Sequence, residues 1–249
     1  MGYHAPLPTL TPKGNDMSAP RVLVTGGGRG IGRAIALRFA REGARVVVAA
    51  RTATEIDKVV AEIERAGGTG MAAQFDVREE QAVAAGMWRV MEFLDDTIDV
   101  LVNNAGVFHV APLEEVDYER WRWMFLANVD GPFFVTKECL EALKASGRGH
   151  VININSVAGK RGFAGNVAYC ASKYALRGLS DALREELKPA GIRVTSVYPG
   201  PTDTTIFEGV KGDWDRSKMN RPEDVAEVVW QAWSSPRDAN VDDLDVPAR

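Results

Sequence analysis

Tyr169 and Lys173 stand four residues apart in the stretch Tyr169-Cys170-Ala171-Ser172-Lys173. On a helix that spacing puts the phenol and the ammonium one above the other on a single face. A free tyrosine loses its proton near pH ~10, and a neighbouring cation stabilises the phenolate by about 1.4 kcal/mol for each unit of depression. A phenol tuned in that way passes a proton near neutral pH. Taken alone, the pair reads as an ordinary surface pair on an amphipathic helix. Its meaning depends on what the chain brings to it. Ser156 lies thirteen residues upstream, just beyond an apolar run.

The 249 residues are 45% hydrophobic and 26% charged, enough for a substantial core, and the formal net charge is -4. That balance argues against a general nucleic-acid or anionic-membrane binder, which needs a basic patch. Two cysteines, Cys139 and Cys170, fit a reducing compartment, and we expect a cytoplasmic protein. Cys170 reads as packing, although its position beside Tyr169 leaves a catalytic role open. His4, His109 and His150 are scattered without ligand spacing, so no metal site is expected. Residues 1–20 carry four prolines and no long apolar run, and they read as a disordered leader ahead of one domain over 21–249.

Arg21-Val22-Leu23-Val24-Thr25 has the β-branched character of a buried parallel strand, and it stops at Gly26-Gly27-Gly28-Arg29-Gly30-Ile31-Gly32. Ile31, Ile35, Ala36 and Phe39 then recur at helical spacing up to Gly43. Strand, glycine loop and helix aim free N–H groups at a phosphate: Gly26 permits the turn, Gly30 the approach of the pyrophosphate, and Gly32 close helix–strand packing. A glycine-rich turn by itself is as readily structural. A second strand, Arg45 to Ala50, ends at Arg51, where an acidic residue would select the free ribose hydroxyls; Arg51 and Arg29 instead suit a 2′-phosphate. Thr52 with Glu55 has the form of a capping box for a helix to about Ala66. A third strand near Met71 to Phe75 ends at Asp76-Val77, placed to read an adenine edge.

After a helix from about Glu79 to Leu94, a fourth strand from Ile98 to Val102 closes on Asn103-Asn104-Ala105-Gly106, either a plain turn or a ligand-lining one. Asp117 caps a long helical stretch holding Trp121, Phe125, Phe133, Phe134 and Leu140, an aromatic stripe suited to core or subunit interface. Asn128 sits inside it, where a buried amide needs partners and suggests a polar relay near Lys173. The fifth strand spans Val151 to Asn155. A helix opening at Tyr169 buries Leu176, Leu179, Leu183 and Leu187, and a sixth strand from Ile192 to Val197 leads into Tyr198-Pro199-Gly200-Pro201-Thr202-Asp203-Thr204. The polar segment that follows, about 203–220, reads as a substrate loop, with a last helix from Pro222 to about Ser234.

Gly26, Gly30 and Gly32, Asn103-Asn104-Ala105-Gly106, Asn128, Ser156, the Tyr169–Lys173 pair and Pro199-Gly200 together resemble the short-chain dehydrogenase/reductase family in identity, order and spacing. The resemblance implies a single-domain Rossmann fold: a doubly wound, mostly parallel sheet of six or seven strands flanked by helices. It implies Tyr169 as proton donor, Ser156 as orienter of the substrate oxygen, Lys173 as partner of Tyr169 and of the nicotinamide ribose, and Asn128 as holder of a relay water. Gly26, Arg29, Gly30, Ile31, Gly32, Arg51, Asp76, Val77, Asn104, Ala105, Gly106, Pro199, Gly200, Thr202 and Thr204 would join Tyr169 and Lys173 in lining the dinucleotide site.

The resemblance therefore points to an NADPH-dependent reductase of a small or medium carbonyl compound, reversible as an alcohol dehydrogenase. A catalytically silent NADP(H)-binding sensor or scaffold is the rival. Asn240-Val241-Asp242-Asp243-Leu244-Asp245-Val246-Pro247 departs from the family's Val-Asp-Gly-Gly ending, so a seventh strand around Asp243 to Val246 is expected at an edge. A homodimer through the long helices is then favoured over a homotetramer. Val157, Ala158, Phe163 and Thr205 to Met219 are the expected substrate pocket, and His109 could face it or lie on the surface.

Overall fold

Each apolar run expected as a strand finds a parallel neighbour. The computed structural model describes residues 19–210 and 214–249, so most of the proposed leader and three residues of the substrate loop lie outside it. The strands are β1 (Arg21–Thr25), β2 (Arg45–Ala50), β3 (Thr69–Gln74), β4 (Val100–Asn103), β5 (His150–Ile154), β6 (Arg193–Pro199) and β7 (Asp243–Val246), with order β3-β2-β1-β4-β5-β6-β7. All six ladders are parallel. The connecting helices are α1 (Gly30–Arg41), α2 (Ala53–Arg65), α3 (Glu80–Phe93), α4 (Tyr118–Phe125), α5 (Gly131–Ala145), α6 (Val167–Leu187) and α7 (Pro222–Ser234).

Side chains alternate across a strand, and the cores divide accordingly. Val22, Val24, Val46, Val48, Val100 and Val102 pack with Ile35, Phe39, Val59, Ile63, Val225 and Val229 of α1, α2 and α7. Leu23, Val47 and Leu101 face the other way, against Val83, Val90, Val135 and Leu143 of α3 and α5. Both faces of the sheet are therefore covered, as parallel sheets require. β1 lies between β2 and β4, so successive connections turn opposite ways from it and leave a crevice at the strands' carboxyl ends.

Several expectations shift. β6 runs on through Tyr198 and Pro199 because β7 pairs with Ser196 to Pro199. Pro199 is tolerated there: β5 has already ended opposite Val197, so the missing N–H deprives no neighbour. β7 takes the expected edge position, and aspartates in and just ahead of it are ion-paired, Asp245 with Lys160 at 2.7 Å and Asp242 with Arg184 at 3.3 Å. Thr52 is the N-cap of α2, but its side chain makes no capping bond. Glu55 lies instead 3.8 Å from Arg29. Asp117 does cap α4, accepting from the Arg120 N–H. The expected long helical stretch beyond it is continuous from Tyr118 to Ala145, with a π-turn at Leu126–Asp130 inserted between α4 and α5 and containing Asn128.

Candidate active site

A cavity of about 360 Å³ runs along the carboxyl ends of the strands from Arg51 to Trp214. At its middle the glycine loop crosses from β1 to α1. Arg29, the N-cap of α1, makes no side-chain capping bond, and the first turn holds no acidic residue. The N–H groups of that turn are thus directed at the cavity without an internal anion. Gly26 (φ +61°) and Gly30 (φ +54°) take left-handed conformations. Gly32 answers to space alone, since a Cβ there would lie 2.3 Å from the Gly26 carbonyl oxygen.

Asn104 locks this loop to the end of β4. Its Nδ2 donates to the carbonyls of Thr25 at 2.9 Å and Gly26 at 3.1 Å. Thr25 returns the contact, its Oγ1 accepting from the N–H groups of Asn104 and Ala105, both at 3.1 Å. Thr25 escaped notice in the sequence because it reads as a strand terminus. Only the approach of a segment about eighty residues away gives its hydroxyl a task.

At the end nearest β2 and β3, Arg29, Arg51 and Asp76 line the cavity with a further cation that the sequence did not single out, Arg78. The Arg78 guanidinium holds both Asp76 oxygens, the shorter contact being 2.6 Å. Burial raises the Asp76 pKa, but the bonds from Arg78 outweigh it and hold the carboxyl below its usual range. The carboxylate expected to read adenine is therefore committed to Arg78. Arg51 is 3.9 Å from the same carboxylate, and both Arg29 and Arg51 are more than half exposed. Three guanidinium groups against Glu55 and Asp76 give this end a cationic surplus suited to a phosphate.

At the other end, α6 begins at Val167, two residues before Tyr169, and delivers Tyr169 and Lys173 on one face as expected. Lys173 Nζ lies 5.9 Å from the centre of the Tyr169 ring and donates to the Ile154 carbonyl at 3.0 Å. Ser156, just past β5, accepts from the Ala158 N–H through Oγ and faces the cavity. Burial pushes the Tyr169 phenol up to about 12, partly opposed by a bond with Ser156. The expected lowering by Lys173 does not dominate here, because the ammonium is turned toward Ile154. A phenol so placed is protonated at neutral pH, the form that a proton donor needs.

Asn128 lies beneath the cavity and does not line it. Its amide pairs with Val107, accepting from the N–H at 2.8 Å and donating to the carbonyl at 3.0 Å, and it also donates to Ser172 Oγ at 3.0 Å. Both amide hydrogens are thus committed to protein partners. The side chain instead joins the π-turn, the segment after β4 and α6.

Ile31, Val77, Ala105, Gly106, Pro199, Gly200, Thr202 and Thr204 all line the cavity as expected, and Gly32 packs behind it. Thr204 lies over the glycine loop, its Cγ2 3.1 Å from where a Cβ on Gly30 would be. His109 is half-buried and does not line the cavity. Cys170 is buried with its thiol against the Arg161 carbonyl, away from the cavity. Among the described residues, no cluster of His, Cys, Asp and Glu could hold a metal, and no helix is long and apolar enough to cross a membrane.

Lys173 carries its charge at a cost to the fold. Burial draws its pKa down to about 8 from 10.5. Between those values the unfolded chain binds the extra proton, so stability from this position rises with pH through that window, and below it the full penalty is carried. Lys173→Met is therefore expected to raise the thermal midpoint of the cofactor-free protein near pH ~7 by a few degrees. The gain should shrink toward pH ~10. Calorimetry at the two pH values checks this, and a midpoint that falls at both would contradict the penalty.

A doubly wound parallel sheet with a glycine loop at its switch point defines a dinucleotide-binding α/β protein. The chain belongs to the short chain dehydrogenase family, whose profile matches residues 20–214. It is 39% identical over 193 residues to a 3beta-hydroxysteroid dehydrogenase of Mediterraneibacter gnavus, covering 77% of this chain and 69% of that protein. Among solved structures, it is similar to a metagenomic short-chain oxidoreductase in complex with NADP, with 33% identity, a TM-score of 0.81 and coverage of 94% and 98%. It is also similar to the 3-ketoacyl-(acyl-carrier-protein) reductase of Brucella melitensis complexed with NADH, with 27% identity, a TM-score of 0.84 and coverage of 93% and 98%. The protein is an NAD(P)-dependent oxidoreductase acting on a small molecule.

Proposed function

We propose that the protein reduces a small or medium ketone or aldehyde with NADPH, reversibly, Tyr169 donating the proton. The observation that supports this most is the cavity's polarity: Tyr169, Ser156 and Lys173 at one end, and Arg29, Arg51 and Arg78 at the other. The nicotinamide, when bound, supplies the hydride. Tyr169 releases its phenolic proton to the substrate oxygen, and Ser156 donates a hydrogen bond to that oxygen as negative charge gathers on it. Lys173, still cationic near pH ~7, steadies the phenolate that is left and offers donors to a ribose. The uncapped first turn of α1 receives the pyrophosphate, and Asn104 keeps its loop in register. Asn128 positions Val107 and α6 and touches neither ligand.

Arg29 and Arg51 would receive the 2′-phosphate, because their own carboxylate contacts, at 3.8 Å and 3.9 Å, are long enough to yield. The double change Arg29→Ala and Arg51→Ala is expected to weaken NADPH by about 100-fold and NADH by less than about threefold, as loss of two charge-assisted contacts predicts. Fluorescence titration with both cofactors measures it, and equal losses would mean the 2′-phosphate lies elsewhere. A carbonyl and alcohol panel with NADPH, NADH and their oxidised forms tests the activity itself. The two free cysteines suit a reducing compartment such as the cytoplasm. The exposed Tyr118, Phe133 and Tyr174 form the surface through which we expect two copies to pair.

A further inference from the structure

Phe108 stands at the centre of an aromatic wall beside the proton donor. Its ring meets Tyr169 at 4.7 Å and 73°, Phe207 at 5.5 Å and 68°, and Trp214 at 6.0 Å and 72°. Phe207 and Trp214 are themselves 4.7 Å apart. Trp214 donates its only side-chain hydrogen to the Val210 carbonyl at 3.3 Å, so the indole offers the cavity nothing polar. These rings come from three separate stretches of chain, and all four line the cavity.

The charge distribution is equally one-sided. Arg29, Arg51, Glu55, Asp76 and Arg78 line the adenosine end, and at the Tyr169 end the charged lining among the described residues is Lys173, already donating to Ile154. Nearby cations are engaged elsewhere: Arg216 with Asp203 at 2.6 Å, and Lys160 with Asp245 at 2.7 Å. Arg161 lies over the Phe163 ring at 4.9 Å and does not line the cavity. A carboxylate carried in against the aromatic wall would shed its water with no cation among the described residues of that wall to receive it. A neutral ring would pack against edges and faces set near right angles.

We infer that the substrate is a neutral carbonyl compound bearing an apolar ring, and that Phe108, Phe207 and Trp214 set this selectivity by disfavouring carboxylate-bearing analogues. The inference rests on the reductase reading above and narrows it to a substrate class.

Two matched pairs test it on the unaltered protein with NADPH: methyl 4-oxocyclohexanecarboxylate against its free acid, and ethyl benzoylformate against benzoylformate. Each neutral ester is expected to exceed its acid in kcat/KM by about 100-fold or more, the penalty of an unpaired carboxylate. Cyclohexanone should exceed 2-hexanone by about tenfold. Phe207→Arg should narrow the ester-to-acid ratio at least about tenfold by supplying the missing partner. Ratios near one, or a preference for the acids, would overturn the substrate class and leave the reductase assignment standing. If no carbonyl turns over with either cofactor, the reductase assignment falls. Calorimetry on the NADPH complex then decides the wall separately: binding of the esters but not the acids supports it, and binding of neither or of the acids overturns it.

Discussion

Replacing Tyr169 with Phe is expected to lower kcat for carbonyl reduction by about 1,000-fold or more, within the range general acid catalysis contributes, while the NADPH Kd moves by less than about threefold. The substitution keeps the ring, and with it the edge contact to Phe108 at 4.7 Å. It removes the one phenolic proton at this end of the cavity. Nothing adjacent replaces it. Ser156 is an alcohol, so a proton taken from it would only move the alkoxide charge from substrate to serine, and Lys173 Nζ is held by the Ile154 carbonyl. Steady-state kinetics with a fluorescence titration separates the two effects. Unchanged turnover would remove Tyr169 from the chemistry, whereas lost NADPH affinity would make its hydroxyl part of the binding site. A silent binding protein would show neither change.

Gly32→Ala should instead weaken cofactor binding. The added methyl would lie 2.3 Å from the Gly26 carbonyl oxygen and 2.4 Å from Asn104 Nδ2, the atoms whose hydrogen bond fastens the loop to β4. Neither can yield without the other. We expect an NADPH Kd weakened by about 100-fold or more and a fold destabilised by about 1–3 kcal/mol, the cost of overpacking. Gly178→Ala in α6 is the contrasting case, since no atom lies within 4 Å of the new Cβ. There the gain in helix propensity should stabilise by up to about 1 kcal/mol. Denaturant titrations of both, with cofactor binding measured alongside, distinguish crowding at the loop from a general intolerance of the fold. A harmless Gly32→Ala would mean that the α1–β4 contact is looser than its geometry requires.

What could be read from the chain was what repeats within one element. Val22-Leu23-Val24 and Val46-Val47-Val48 announce buried parallel strands because both faces need apolar residues, and the Tyr169–Lys173 spacing announces a shared helix face whatever surrounds it. Even the β7 edge was legible, from Pro247 and the density of aspartates. What remained hidden depends on separation in sequence. Arg78 was overlooked because its partner, Asp76, was assigned to adenine, and nothing local shows that the two side chains fold back on each other. Thr52 and Glu55 match a capping pattern, yet Glu55 turns to Arg29, 26 positions away in the sequence. Phe108, Phe207 and Trp214 are isolated aromatics in polar or irregular stretches and become a wall only when the carboxyl ends of β4 and β6 converge. Asn128 was rightly singled out as a buried amide in need of partners, but the π-turn that presents it to Val107 and Ser172 leaves no trace in side-chain periodicity.

The ladder between β6 and β7 reaches further than the sheet. Gly200 donates its N–H to the Val246 carbonyl at 2.8 Å, and Asn220 Nδ2 donates to the same oxygen at 3.2 Å. One carbonyl thus anchors both the Pro199-Gly200 turn and the return of the segment that carries Phe207 and Trp214. A protease that nicked the exposed stretch between Pro236 and Asn240 would leave every cavity-lining residue intact. It would nonetheless free β7 to detach, and the Pro199-Gly200 turn and the aromatic wall would loosen together. Limited digestion should therefore silence the enzyme before it unfolds, and bound cofactor, by holding that turn in place, should slow the loss.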